Sequence, residues 1–451
     1  MRRVQKEKSA KPGRKQKKRP NLPNLAQKLR FVVDRAIPKL STWIGRLSDP
    51  RDKNKTTYGI KTVIWSSILF FVFQLKSRRH FRSVSDSKEF LMNLNRLTGE
   101  KNITVPHPDT LAYLLTKLST EELNCLPSKI VHEMQEKRML EKYRLKGHYM
   151  IAMDGTGIYS FSERHCENCL TQTKNDKTIY FHKIEEAKLV SPGGLALSVG
   201  FESIENPTKR VKIQDCELKA FYRLAPKIKE MFPHTKICLL LDSLYATEKV
   251  FAICKKYNWK YIIVFKKGSM PRVFEEFVTL RNLYKNNRIE TFHNGEKQTL
   301  RWVNNLSFRV YKLNVLECEI DNNDKTVKNK KFVWLTNFEL NKNNVTTIAN
   351  NGGRCRWVIE NQGFNVQKNC EFQLEHVFTH HETGWKNYYS ILQIAHLIFQ
   401  LMYWWRSLRE TRQHLTSIYA FARRILEHFR TRLPENSDKS PPGFQLRLDT
   451  S

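Results

Sequence analysis

This 451-residue chain has no uninterrupted apolar run of the roughly 20 residues that a membrane-spanning helix requires. The stretch 60–74 is short and broken by Thr62, Ser66 and Ser67. In 388–405, Gln393, His396 and Gln400 recur at helical spacing, which would be costly in lipid. Both read as buried helices, and a membrane anchor is not expected. The charged amino terminus carries no apolar stretch of signal-peptide type, so the expected compartment is the cytoplasm. A glycine-rich phosphate loop is also missing, and nothing points to ATP use. The nine cysteines are odd in number and scattered, which fits reduced thiols better than a disulfide framework. No internal repeat is visible.

Acidic residues are scarce as well: 44 Asp and Glu stand against 78 Lys and Arg, a formal charge of +34. The first 31 residues, with Arg2, Arg3, Lys11, Arg14, Lys15, Lys17, Lys18 and Arg19 among them, hold 12 basic residues and the single acid Glu7, or +11. The remaining +23 lies beyond, so the body of the protein is itself basic. That balance predicts a polyanionic partner, a nucleic acid held in a groove and not only by a tail. With 40% hydrophobic residues the length supports two or three domains.

Residues 1–30 form a Lys/Arg/Pro-rich arm without apolar periodicity, expected to be disordered. From 31 to 146 the pattern is helical. Leu111, Leu114, Leu115 and Leu118 follow the N-terminal signal Pro108-Asp109-Thr110, and Arg78, Arg79, Arg82 and Arg96 suit a DNA-binding domain or a solvated face. From 147 to 270 strands and helices alternate. Strands are predicted at 150–153, at 179–181 with 187–190, at 195–201, at 237–241 and at 261–265. Helices are predicted at 215–232 and 247–257. The region 271–341 reads as a β-rich insertion, because a structureless loop of that size is improbable. Residues 342–405 resume helix, and 406–451 form a basic helix followed by a polar tail.

Asp154 closes the apolar run Tyr149-Met150-Ile151-Ala152-Met153, Asp242 closes Ile237-Cys238-Leu239-Leu240-Leu241, and Glu360 ends Arg356-Trp357-Val358-Ile359-Glu360. An acid that ends a buried strand emerges at the sheet edge, where ligand sites of open α/β sheets lie. By itself each aspartate is equally a turn or capping residue. Taken together, Met153-Asp154-Gly155-Thr156, Lys212-Ile213-Gln214-Asp215-Cys216-Glu217, Leu241-Asp242-Ser243-Leu244-Tyr245-Ala246 and Arg356-Trp357-Val358-Ile359-Glu360-Asn361, in this order, resemble the DDE transposases of bacterial insertion sequences, over roughly residues 147–405.

The resemblance implies a ribonuclease H-like α/β core: a mixed five-stranded sheet flanked by helices, its first and fourth strands adjacent, with a helical N-terminal domain and the β-rich insertion before Glu360. It implies Mg²⁺, replaceable by Mn²⁺, with Asp154 bridging two ions and Asp242 and Glu360 each completing one. Two such ions about 3.5–4 Å apart activate the attacking oxygen and stabilise the leaving one. The implied activity is cleavage at element ends and strand transfer into target DNA, of the cut-and-paste type, by a homodimer associated with the bacterial nucleoid. A nuclease that never joins ends and a non-catalytic DNA-binding relative are the alternatives. The family often shows Tyr, two residues, Arg, three residues, Glu, six residues, Lys. Arg356 and Glu360 fit, whereas Gly353 takes the tyrosine place and Gln367 the lysine place, with Lys368 one step on.

Arg356 and Lys368 are accordingly DNA-contact candidates, and Lys266 and Lys267, after the fifth strand, are placed to grip phosphate or to lie solvated. Arg356 reads otherwise as a surface pair with Glu360 four residues on. Trp357 and Phe364 read as core residues, and Asp215 and Glu217 as acids favourably placed at a helix N-terminus, or one of them as an auxiliary ligand. Cys166, Cys169 and His182 offer thiolate and imidazole donors of the kind a Zn²⁺ site uses, but a single CxxC without a second pair reads more simply as unpaired thiols. His376, His380 and His381 read as hydrogen-bonded surface groups.

Overall fold

A computed structural model describes residues 22–450, apart from residues 164, 208–210, 322–328 and 434–445. The amino-terminal arm therefore lies mostly outside the described residues. Its last part already belongs to a helix, α1 (Leu25–Ala36), capped by the Asn24 side chain.

Apolar residues at helical spacing build α1, α2 (Leu40–Gly45), α3 (Ile60–Val72), α4 (Arg78–Ser85), α5 (Lys88–Thr98), α6 (Pro108–Lys117) and α7 (Thr120–Glu136). Helix α6 starts with proline at its first turn, where the missing N–H costs nothing. Helix α3 is buried nearly all round. Among the described residues no helix is long and apolar enough to cross a membrane.

Among the described residues ten strands follow, joined in one mixed sheet: β1 (Tyr149–Phe161), β2 (Leu170–Lys174), β3 (Lys177–Val190), β4 (Ala196–Ile204), β5 (Ile237–Leu241), β6 (Lys260–Val264), β7 (Arg288–His293), β8 (Glu296–Phe308), β9 (Tyr311–Ile320) and β10 (Lys330–Thr336). Their order is β2-β3-β1-β5-β6-β10-β9-β8-β7, with β4 also paired to β3. Strands β5 and β6 run parallel to β1 and to each other, and the other pairings are antiparallel. Helices α8 (Glu217–Met231) and α9 (Glu248–Tyr257) are the crossovers that bring β5 and β6 parallel to their neighbours.

Two expectations change here. The region 271–341 opens with a helix, α10 (Pro271–Leu283), where strand-like runs alone were expected, and its four strands extend the central sheet through β6–β10 pairing. Strand β1 does not end at Asp154 but runs seven residues further against β3, with a register shift between Gly157 and Tyr159.

Beyond the sheet come α11 (Val345–Thr347) and α12 (Asn365–Asn369), linked without a break by π and 3₁₀ turns. Helix α13 (Glu382–Tyr403) is buried along most of its length, as its interrupted apolar run predicts. Helices α14 (Arg409–Leu415) and α15 (Ile418–Phe429) follow. The tail is not simply polar: residues 446–448 return, Leu448 bridges to Trp405, and Leu446 and Leu448 are buried.

Alternation along the strands sorts the core. Tyr149, Ile151 and Met153 of β1 and Ile237, Leu239 and Leu241 of β5 share one apolar cluster with the N-terminal helices and α13. Met150, Ala152, Cys238 and Leu240 face the other cluster, with Cys355, Ile359 and Phe364. The helices of 31–146 and the sheet thus share one core.

Candidate active site and metal centre

Parallel pairing sets Ala152 beside Leu240. Asp154 and Asp242 each stand two residues beyond that pair, and Asp242 keeps an extended backbone (φ −77°, ψ 171°). Alternation therefore turns both acids toward the face that also packs Cys355 and Ile359. Sequence separation of 88 residues is reduced to neighbouring strands. Asp242 is partly buried and accepts a hydrogen bond from Ser243 N at 2.6 Å.

Glu360 approaches from the irregular helical stretch. It lies in a π turn, Ile359–Phe364, just after the 3₁₀ turn Gly353–Arg356. Such turns redirect side chains and recur at functional sites. Arg356 joins the acids: its Nη1 is 3.2 Å from Asp154 Oδ2 and 2.9 Å from Glu360 Oε1. Burial pushes Asp154 up to about 7. Arg356 pulls it down, while the charge and hydrogen bonding of Glu360 and the charge of Glu217 raise it. The first and third acids are thus in direct electrostatic contact, and Asp242 is next to Asp154 by strand register.

The carboxylate set is all oxygen, the donor type hard divalent cations take, and like charges crowd Asp154. Among the described residues, however, three or more ligating atoms come within 4.8 Å of one another only at Cys166, Cys169 and His182. The guanidinium of Arg356 holds the interval between Asp154 and Glu360.

Arg356 is only 5% exposed, so it is a buried counter-charge and not a surface pair or an open phosphate contact. Trp357 corrects another expectation: it is 45% exposed, with the Arg356 guanidinium 4.6 Å from its ring centre, while Phe364 is buried as expected. Lys266 and Lys267 are exposed at the end of β6, on the same carboxyl edge as Asp242. Ser269 Oγ ties their loop to Ser243 O at 3.2 Å. Lys267 lies 3.5 Å from Glu275, and Lys368 2.9 Å from Glu375.

The departures from the Tyr/Arg/Glu/Lys signature have packing reasons. A Cβ on Gly353 would run into the Trp334 ring. Gln367 is buried and bonds Gln393 and His396, a place where an ammonium would be desolvated.

Residue reasoning gave no role to two groups beside Asp154, Glu185 and Tyr245, and a third, Glu217, proves to be an acid of the same neighbourhood. Glu185 is fully buried, and burial drives its carboxyl well above the usual range, Tyr245 pulling it down and Glu217 and Asp154 raising it. Tyr245, of the Asp242 segment, donates to Glu185 Oε1 at 2.7 Å. Glu217 begins α8, pairs with Lys183 at 2.5 Å and leans over Gly155, whose missing side chain leaves it room. The sequence signal was Glu185-Glu186 inside an apolar strand. Asp215 instead pairs with Arg223 at 2.7 Å, and His381 caps α13.

The second cluster is built on the far end of β1 and β3. Cys166 and Cys169 flank the turn before β2, and His182 lies on β3. The two Sγ atoms are 3.5 Å apart, and each is 3.4 Å from His182 Nε2. The hydrogen bond with Cys169 and then that with His182 lower the Cys166 thiol from its ordinary range, while the same sulfur contact and burial raise Cys169. These residues can hold a metal ion.

Comparison with protein-family models and with curated proteins finds no match for this chain.

Proposed function

We propose that this chain is a DDE-type transposase that cuts DNA at insertion-sequence ends and joins them to target DNA. One observation carries the reading: Asp154 within β1 and Asp242 just past the end of the adjacent parallel strand β5 turn to one face, and Glu360 is joined to Asp154 through Arg356. The strand series β4-β3-β1-β5-β6, with β4, β3 and β1 antiparallel and β5 and β6 parallel to β1, supports a ribonuclease H-like core.

Asp154, Asp242 and Glu360 would hold Mg²⁺ or Mn²⁺, which supplies charge neutralisation and an activated oxygen at the scissile phosphate. Arg356 keeps Asp154 and Glu360 together before loading. Tyr245 fixes the segment after Asp242 against β3 through Glu185. Lys266 and Lys267, exposed at the same edge, receive the DNA backbone.

The test uses duplexes carrying the element's ends with Mn²⁺ or Mg²⁺. Asp154→Asn, Asp242→Asn and Glu360→Gln should each lower cleavage by more than about 10³-fold, the scale on which loss of one member of a catalytic unit registers, with DNA binding retained. Full cleavage by any of the three rejects the reading. Pre-cleaved ends offered with a target plasmid should yield joined product; hydrolysis without joining would assign a nuclease instead.

A further inference from the structure

We propose that Cys166, Cys169 and His182 bind one Zn²⁺ ion, and that this ion braces the segment carrying Glu217 against Asp154. The donors are two thiolate sulfurs and an imidazole nitrogen, a soft set that selects Zn²⁺ over the hard cations suited to carboxylates. Their separations of 3.4–3.5 Å fall close to the roughly 3.5–3.8 Å that tetrahedral bonds of about 2.3 Å to sulfur and 2.0 Å to nitrogen imply. They lie far beyond the length of about 2.05 Å expected of a disulfide, and both cysteines are free.

The surroundings suit a fixed ion. Cys169 and His182 are buried, and Trp385 packs on the His182 ring with centroids 4.6 Å apart. The Tyr159 hydroxyl is buried without a hydrogen-bond partner, and its ring centre is 5.5 Å from that of His182. Three chain donors leave the fourth position to water, with that hydroxyl as a polar group at hand.

The bracing follows from hydrogen bonds that begin at the cysteine turn. Asn206 N donates to Asn168 O at 3.0 Å, and Asn206 Nδ2 to Cys169 O at 3.0 Å. Asn206 Oδ1 accepts from Asp215 N at 3.2 Å. Gln214 closes a pair with Thr171, accepting from its N at 2.7 Å and donating to its O at 2.9 Å. Two residues after Asp215, Glu217 lies over Gly155 beside Asp154. A pinned cysteine turn therefore fixes where α8 starts, and with it an acid whose charge acts on Asp154.

The experiment is metal analysis of the full chain, purified without a metal-affinity tag. About one zinc per chain is expected, with at least about tenfold less in Cys166→Ser/Cys169→Ser and full content in Cys216→Ser. Co²⁺ added to the stripped protein should give the visible bands of a tetrahedral ion and a thiolate charge-transfer band in the near ultraviolet. A folded wild-type protein that retains no zinc and shows neither Co²⁺ signal overturns the site, whatever the variants do. Removing zinc with a chelator should speed amide exchange in residues 165–182 and 205–217 and leave β8 and β9 unchanged. Unchanged exchange at 205–217 overturns the bracing. Neither readout depends on DNA cleavage, so the outcome is separate from that of the transposase reading.

Discussion

Arg356 shows how one side chain can hold a site in readiness. Its guanidinium is nearly inaccessible and bonds both Asp154 and Glu360, so removing it leaves two partly buried carboxylates in mutual repulsion. Arg356→Gln should lower unfolding free energy in urea by about 2 kcal/mol, less than the loss of a fully buried partner because Glu360 is partly exposed. If a divalent cation occupies the same acids, Mn²⁺ should raise the melting temperature of Arg356→Gln more than that of the parent protein. Equal shifts would separate the cation from these carboxylates. At this scale much was legible: the four-residue spacing of Arg356 and Glu360 gave their pairing, and the two apolar runs gave the strands β1 and β5. Burial was not. Trp357 looked like core because its spacing from Phe364 is helical, but the 3₁₀ and π turns around it change the angular repeat and turn it outward.

Among the elements, α13 was the most readable, since polar residues at helical spacing within an apolar run mark a buried helix with internal hydrogen bonds. Gln393 bonds Lys188 and Gln367, Gln400 holds Ala196, and His396 meets Gln367 and Gln400. Burial and then the charge of Lys188 hold His396 well below its ordinary range, so it is neutral in the folded protein. The unfolded chain takes up a proton there below pH about 6.5, and the folded one does not, so this contribution is present above that pH and is lost as pH falls. Relative to the parent, His396→Gln should gain stability by about 2 kcal/mol between pH 7 and pH 5, read by chemical denaturation at each pH. A parallel decline of both proteins would show that His396 is not the titrating group. Helix α10 escaped notice although Val273, Phe274, Phe277 and Val278 have helical spacing, because strand-like runs dominate the region that follows. Strand β2 was missed because its five residues carry little apolar signal without their partner β3.

Charge belongs to the whole molecule. The sequence total of +34 was plain from composition, but where it faces depends on the sheet. Many basic side chains of the β-rich part are already committed: Arg281, Arg301 and Lys331 all pair with the buried Glu317. Lys266 and Lys267 stand at the carboxyl edge where β5 and β6 end, and Lys267 has only a 3.5 Å pairing with an exposed glutamate. An exposed pair at that distance yields readily to a phosphate. DNA affinity should therefore fall steeply with salt, log K against log[salt] having a slope of about −0.9 for each phosphate neutralised. Lys266→Ala/Lys267→Ala should make that slope shallower by about 1 to 2 while leaving the melting temperature unchanged, because both side chains are exposed. Titrations of the parent and the double variant at several salt concentrations decide it. An unchanged slope would place the DNA path elsewhere on the protein, even if the carboxylates prove catalytic.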